Sequence, residues 1–342
     1  MLQRTLAGGI AKATAKATAK PERRLINGRD RAGLIDGGKP LHGMGRGGTR
    51  QGKPYAVPGR RLVTMTFADA GENEHGMEIL GREAPPEAAL TVPELRQWGA
   101  ALRAESAMDA RFLDLQRQLR DWEPEIEAGR APLPPAGLLV VKGLAGAERT
   151  RAIEEQLWNM PIDTCALQGR GPNRYVKNKH GRHNNCMTDA AVRAPSIAGK
   201  DHYANGEGSV VALEDYPLIA ALRDILSALV GRPLPVVENN FYYEIGPRCG
   251  IAWHGDAERR ITILYRVGEA SRLMPLRFQW FYDYKPVGPV FELVLESGDL
   301  VFMCGKANGK DWDARKGWTL RHATGAAHAV PKDAESVVLR LC

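Results

Sequence analysis

Beyond Pro235 the hydrophobic period of the chain changes to two, and no other feature limits its possible folds so strongly. Stretches at 236–245, 261–267, 276–284, 291–295, 300–303, 319–322 and 336–341 each read as a strand. Gly246-Pro247, Gly288-Pro289 and Gly298 punctuate them. Short strands at this spacing predict a jelly-roll-like double sheet.

The residues before Pro235 have a different character. Val63, Met65 and Phe67 alternate in a short strand-like run. Thr91-Val92-Pro93-Glu94 has the form of a capping box and predicts a helix over 91–105. A second helix is expected over 108–122, where Phe112, Leu113, Leu115 and Leu119 fall at helical spacing. A strand at 138–141 leads into a helix at 147–160. Another helix, at 216–230, carries an apolar stripe through Leu218, Ile219, Leu222, Ile225, Leu226 and Leu229, with Gly231 as its stop. The fold class expected is therefore α+β: a helical preface at 62–135 and a strand-rich domain at 136–342.

Residues 1–61 lack the apolar content to offset the entropy of ordering, and read as a basic, low-complexity, flexible arm. The segment holds fourteen Lys or Arg against three acids, a net +11, so the remainder of this +7 chain carries −4. Three readings suit it, in this order: a solvated tail, an arm that tracks the phosphates of a nucleic acid, and a mitochondrial transit peptide. Five scattered cysteines with no Cys-x-x-Cys pair argue against a disulfide framework and fit a reducing intracellular compartment, cytoplasm or nucleus before mitochondrion. No apolar run approaches membrane-spanning length, so no membrane partner is expected.

The chemistry concentrates at His254-Gly255-Asp256. Residues two apart on an extended backbone share a face, so this imidazole and carboxylate can grip one cation. A second histidine, His322 or His328, would complete a 2-His-1-carboxylate triad of the kind that leaves positions open on non-haem Fe(II). A surface histidine beside a solvated aspartate would leave the pattern of flanking residues without a reason.

Those flanks are Asn240-Phe241-Tyr242 upstream and Trp253 and Glu258 around the metal motif, giving Asn-x-Tyr followed by His-x-Asp-x-Glu. In this the chain resembles the AlkB-like 2-oxoglutarate- and Fe(II)-dependent dioxygenases. The resemblance covers roughly residues 137–342 and is specific from Asn239 onward. It implies a double-stranded β-helix core, Fe(II) on His254, Asp256 and His322, and 2-oxoglutarate held by Arg340 with Tyr242 and Asn240 as neutral donors. The family's C-terminal pattern, Arg-x-Ser/Asn-x-x-Phe-Arg, matches residues 334–340 with Ala334 in place of the first arginine. That alignment sets Arg340 eighteen residues after His322, a spacing like the family's, and favours His322 over His328.

Residues 168–184 hold Arg170, Arg174, Lys177, Lys179 and Arg182 with no acid, interleaved with Tyr175, His180 and His183. Such a segment suits a phosphate backbone and an unstacked base. Arg174, Arg182, His183 and Arg259 are accordingly the expected substrate contacts. The reading is a nucleic-acid hydroxylase or demethylase. Its competitors are a non-catalytic protein of this fold, binding nucleic acid or packing in a larger assembly, and a hydroxylase of proteins or small molecules.

Overall fold

The computed structural model describes residues 61–72, 79–160, 162, 165–168, 175–178, 182–189, 210–243, 245–246, 249–325 and 335–339. The basic arm through residue 60 lies outside them. In chain order the strands are β1 (Leu62–Ala68), β2 (Ala70–Glu72), β3 (Ile79–Gly81), β4 (Ala110–Asp114), β5 (Gly137–Val141), β6 (Cys165–Gln168), β7 (Tyr175–Asn178), β8 (Arg182–Thr188) and β9 (Val210–Ala212). Beyond Pro235 follow β10 (Val236–Tyr242), β11 (Gly250–His254), β12 (Thr262–Val267), β13 (Leu276–Tyr282), β14 (Lys285–Leu293), β15 (Leu300–Met303), β16 (Trp318–Gly325) and β17 (Ser336–Val338).

Thirteen of these strands form two large sheets in a mixed α+β protein. An eight-stranded sheet runs β4-β5-β15-β12-β1-β10-β8-β9, and a five-stranded sheet runs β11-β16-β13-β14-β17. One apolar core draws on both: Val63, Phe67, Leu139 and Ile263 from the larger, Phe278, Trp280 and Phe291 from the smaller. Helices Val92–Ser106 and Pro217–Val230 add Leu95, Leu102, Leu222 and Leu226 to the same core. Among the described residues no helix is long and apolar enough to cross a membrane, and Cys186, Cys249 and Cys304 are buried.

The segment expected as a helical preface supplies the centre of the larger sheet. β1 pairs with β10 on one side and β12 on the other, and all seven of its residues are buried. A strand covered on both faces reads as a nearly continuous buried run. The capping box at Thr91 is formed: its hydroxyl accepts from the Glu94 amide, and its own amide donates to the Glu94 carboxylate at 2.8 Å.

The expected helix over 108–122 is half strand. Ala110–Asp114 forms β4, laid antiparallel on β5, and the helix begins only at Leu115, where the Asp114 carboxylate accepts from the Arg117 amide at 2.9 Å. The sheet ladder outcompetes a helical spacing that only Leu115 and Leu119 use. A second difference is the start of β14. Asp283 and Tyr284, at φ 48° and 68°, make the two-residue turn that matches strand twist, so β14 begins at Lys285 rather than Phe291. The Gly288-Pro289 pair shifts the register opposite Phe278 and Trp280 without ending the strand.

Candidate metal centre

β11 is the edge strand of the smaller sheet and pairs with β16, with a register irregularity between Ile251 and His254. The irregularity brings His254 directly opposite His322. β11 ends at His254, and the next two residues turn beneath the short helix Gly305–Asn308. The Asp256 amide donates to the Asn308 carbonyl at 2.9 Å, and the Asn308 amide group donates back to the carbonyls of Asp256 and Arg259. Gly255 allows this approach, since a Cβ there would stand 2.0 Å from the Gly309 carbonyl oxygen.

Strand pairing and turn together gather three donors. His254 Nε2 and His322 Nε2 lie 3.9 and 3.7 Å from Asp256 Oδ1, and one ligand atom from each residue falls within 4.8 Å of the others. His254 Nδ1 sits 2.7 Å from the Ala252 carbonyl. A carbonyl only accepts, so Nδ1 carries the proton and the Nε2 lone pair faces the cluster. Burial, with His322 adding to it, pulls the His254 pKa down to about 4, which keeps the ring neutral. Burial alone would raise the Asp256 carboxyl, but Arg259 and His322, helped by His254, outweigh it and hold the group well below the usual carboxylate range. Neutral imidazole with ionised carboxylate is the state a divalent cation needs.

The outer contacts of Asp256 were not foreseen. Thr262 Oγ1 donates to Asp256 Oδ2 at 3.1 Å, and Arg259 Nε lies 3.9 Å from the same oxygen. Arg259, expected as a substrate contact, is 3% exposed and donates to Glu238 at 2.6 Å and to Glu258 at 2.8 Å. Its guanidinium is paired with carboxylates at the base of the site, and the residue lines the pocket that adjoins the cluster. The consecutive Glu258-Arg259 pair inside a metal motif is the signal that could have shown it.

A pocket of about 500 Å³, counting its open mouth, adjoins the cluster. Its floor is the larger sheet. Glu238, Asn240 and Tyr242 alternate along β10 to the same face, and across β1 the register sets Thr64 between Asn240 and Arg266. Asn240 accepts from Arg182 at 2.6 Å, so Arg182 reaches a pocket residue. His183, the next residue of β8, is buried with its ring 4.2 Å from that of Tyr243. Tyr242 is fully buried, and burial pushes its pKa up to about 12, leaving the phenol a protonated donor. Arg174, Arg340 and His328 lie outside the described residues. Arg266 was missed altogether, although an arginine inside the apolar run 261–267 demands a partner wherever that run is buried.

A two-sheet α+β protein with a His-Asp-His cluster over a polar pocket is the class that fold and site define. No family model matches the chain, and no solved structure matches it. It is 32% identical over 269 residues to uncharacterized protein R156 of Acanthamoeba polyphaga mimivirus, spanning 78% of this chain and 96% of the viral protein. The chain belongs to the same family as that viral protein.

Proposed function

We propose that this chain is a mononuclear non-haem Fe(II) dioxygenase that uses 2-oxoglutarate, of the AlkB-like kind, on a double-stranded β-helix core. The observation that carries the reading is the direct opposition of His254 and His322 across β11 and β16, with the Asp256 carboxylate within 4 Å of both rings. Two imidazoles and one carboxylate suit Fe(II) and leave coordination positions open. The winding supports the core: β10 to β13 fall alternately in the larger and smaller sheets, and after the β13–β14 hairpin so do β15 and β16.

When bound there, Fe(II) and 2-oxoglutarate supply oxidation of an unactivated C–H bond by O2, with succinate and CO2 as co-products. The protein's own part is positional. The Ala252 carbonyl fixes the His254 tautomer, while Thr262 and Arg259 hold the Asp256 carboxylate ionised and oriented. Asn240 and Tyr242 present polar groups on the pocket floor, where burial excludes water. His254, 30% exposed, marks the side open to substrate. Nucleic acid is the substrate class to test first: 168–184 carries five basic residues and no acid, and Arg182 at its end bonds a pocket residue.

Anaerobic titration with Fe(II) should give one ion per chain, lost in His254→Ala, Asp256→Ala and His322→Ala and retained in His328→Ala. Wild type with ascorbate should then release succinate from 2-oxoglutarate, and methylated oligonucleotides should stimulate the release where peptides do not. Unchanged metal affinity in the His254→Ala/Asp256→Ala double variant would refute the centre. Metal binding with no turnover of 2-oxoglutarate would leave a non-catalytic protein of this fold.

A further inference from the structure

Arg266 is 1% exposed and lines the pocket. Its Nη1 donates to the Met274 carbonyl at 3.1 Å, yet among the described residues its Nε and Nη2 have no hydrogen-bond partner and no carboxylate pairs with it. Burial draws its pKa down to about 10, Tyr242 and Asp299 opposing, so the group stays cationic at neutral pH. A buried, half-satisfied guanidinium is costly unless something completes it. Two further groups beside it are in the same condition. Thr64 Oγ1, directly across the ladder from Arg266, and the Tyr242 hydroxyl are both buried without partners. All three residues line the same pocket as the His-Asp-His cluster.

We infer that Arg266, with Thr64 and Tyr242, is the site that holds a carboxylate of a small dicarboxylic acid. Resting on the reading above, this is the distal carboxylate of 2-oxoglutarate. A guanidinium edge with two free N–H groups matches the two oxygens of a carboxylate, and two hydroxyls can donate to its remaining lone pairs. The assignment moves the anchor from the C-terminal Arg340 to β12. Arg340 lies outside the described residues, and β17 lies at the edge of the smaller sheet opposite β11. β13 and β14 separate it from β16, roughly 14 Å at ordinary strand spacing.

The test uses the full chain and measures binding rather than turnover. Mn(II) affinity is read by electron paramagnetic resonance. Calorimetry then follows 2-oxoglutarate, glutarate (which has no keto group to chelate a metal) and inorganic phosphate. Arg266→Gln is expected to weaken 2-oxoglutarate by roughly 100-fold and to abolish glutarate binding, with Mn(II) affinity within about twofold of wild type. Thr64→Val and Tyr242→Phe, which remove the hydroxyl at nearly constant side-chain shape, should each weaken both acids by about 3- to 10-fold, and Arg340→Gln should change neither. Wild-type dicarboxylate affinity in Thr64→Val and Tyr242→Phe overturns the assignment even if Arg266→Gln does not fold. So does loss of affinity in Arg340→Gln, or phosphate binding in preference to either acid. A wild type that binds Mn(II) but no dicarboxylate overturns the assignment and leaves the metal centre standing. A wild type that binds glutarate through Arg266 but no metal keeps the anchor and sinks the dioxygenase reading.

Discussion

Replacing Gly255 by alanine tests how the metal motif is held. The added Cβ would lie 2.0 Å from the Gly309 carbonyl oxygen, 2.6 Å from its carbonyl carbon and 2.7 Å from Trp312 Cβ. Real Cβ atoms essentially never approach closer than 3.0 Å, so at least about 1 Å must open between two stretches of backbone. Neither side yields cheaply. Gly309 sits at φ 75°, and Asp256, the next residue, is bonded to the Asn308 carbonyl. Overpacking of this kind costs about 1–3 kcal/mol. Displacing the Asp256 carboxylate should also lower divalent-metal affinity by about 10- to 100-fold, the usual effect of disturbing the support of a ligand. Thermal unfolding with and without Mn(II), beside direct Mn(II) titration, reads both. Gly246→Ala, where a Cβ meets nothing within 4 Å, is the control and should be silent. Wild-type stability and metal affinity in Gly255→Ala would show that the loop does not need the close approach.

Arg259→Met leaves the partly buried carboxylates of Asp256, Glu238 and Glu258 facing one another, and should cost about 3–5 kcal/mol by denaturant titration; a loss below about 1 kcal/mol would mean that the network is not needed. In the metal-free chain the unfolded His254 takes up a proton below about 6.5 and the folded ring only near 4, so stability should fall as pH drops through that window. His254→Gln should flatten the dependence, and an unchanged slope would assign it to other groups. Deleting residues 1–60 should leave a soluble folded protein, whereas deleting through Ala68 removes the strand between β10 and β12 and should abolish folding, both judged by circular dichroism.

What could be read from the sequence was what depends on near neighbours. The strands past Pro235 other than β11, which was not among those expected, the capping box at Thr91 and the stop at Gly231 each follow from a few adjacent residues, and each is present. The pairing of His254 with Asp256 was equally local. His322 was harder, because its approach to His254 depends on a ladder between strands some sixty residues apart. The place of β1 could not be read at all. Nothing in Leu62–Ala68 says that it separates β10 from β12, since pairing partners distant in sequence leave no local mark. The strand at Ala110–Asp114 failed for the opposite reason: its local spacing pointed to a helix, and a tertiary ladder overrode it.

The long-range placement of β1 bears on chemistry as well as stability. The groups that would hold a metal belong to β11, β16 and the turn after His254, all tied to the smaller sheet and the short helix above it. The buried donors without a hydrogen-bond partner among the described residues of this pocket, which the proposal assigns to a carboxylate, include groups on β10, β1 and β12 in the larger sheet, and β1 carries the middle one, Thr64. A pocket assembled from two sheets lets the two binding steps be altered separately, since a change at Thr64 or Arg266 need not move the backbone of β11. It also makes the proposed dicarboxylate site depend on β1, far in sequence from His254 and Asp256. The first strand among the described residues is therefore part of the proposed site, and a chain lacking it should lose carboxylate binding together with the ladder between β10 and β12.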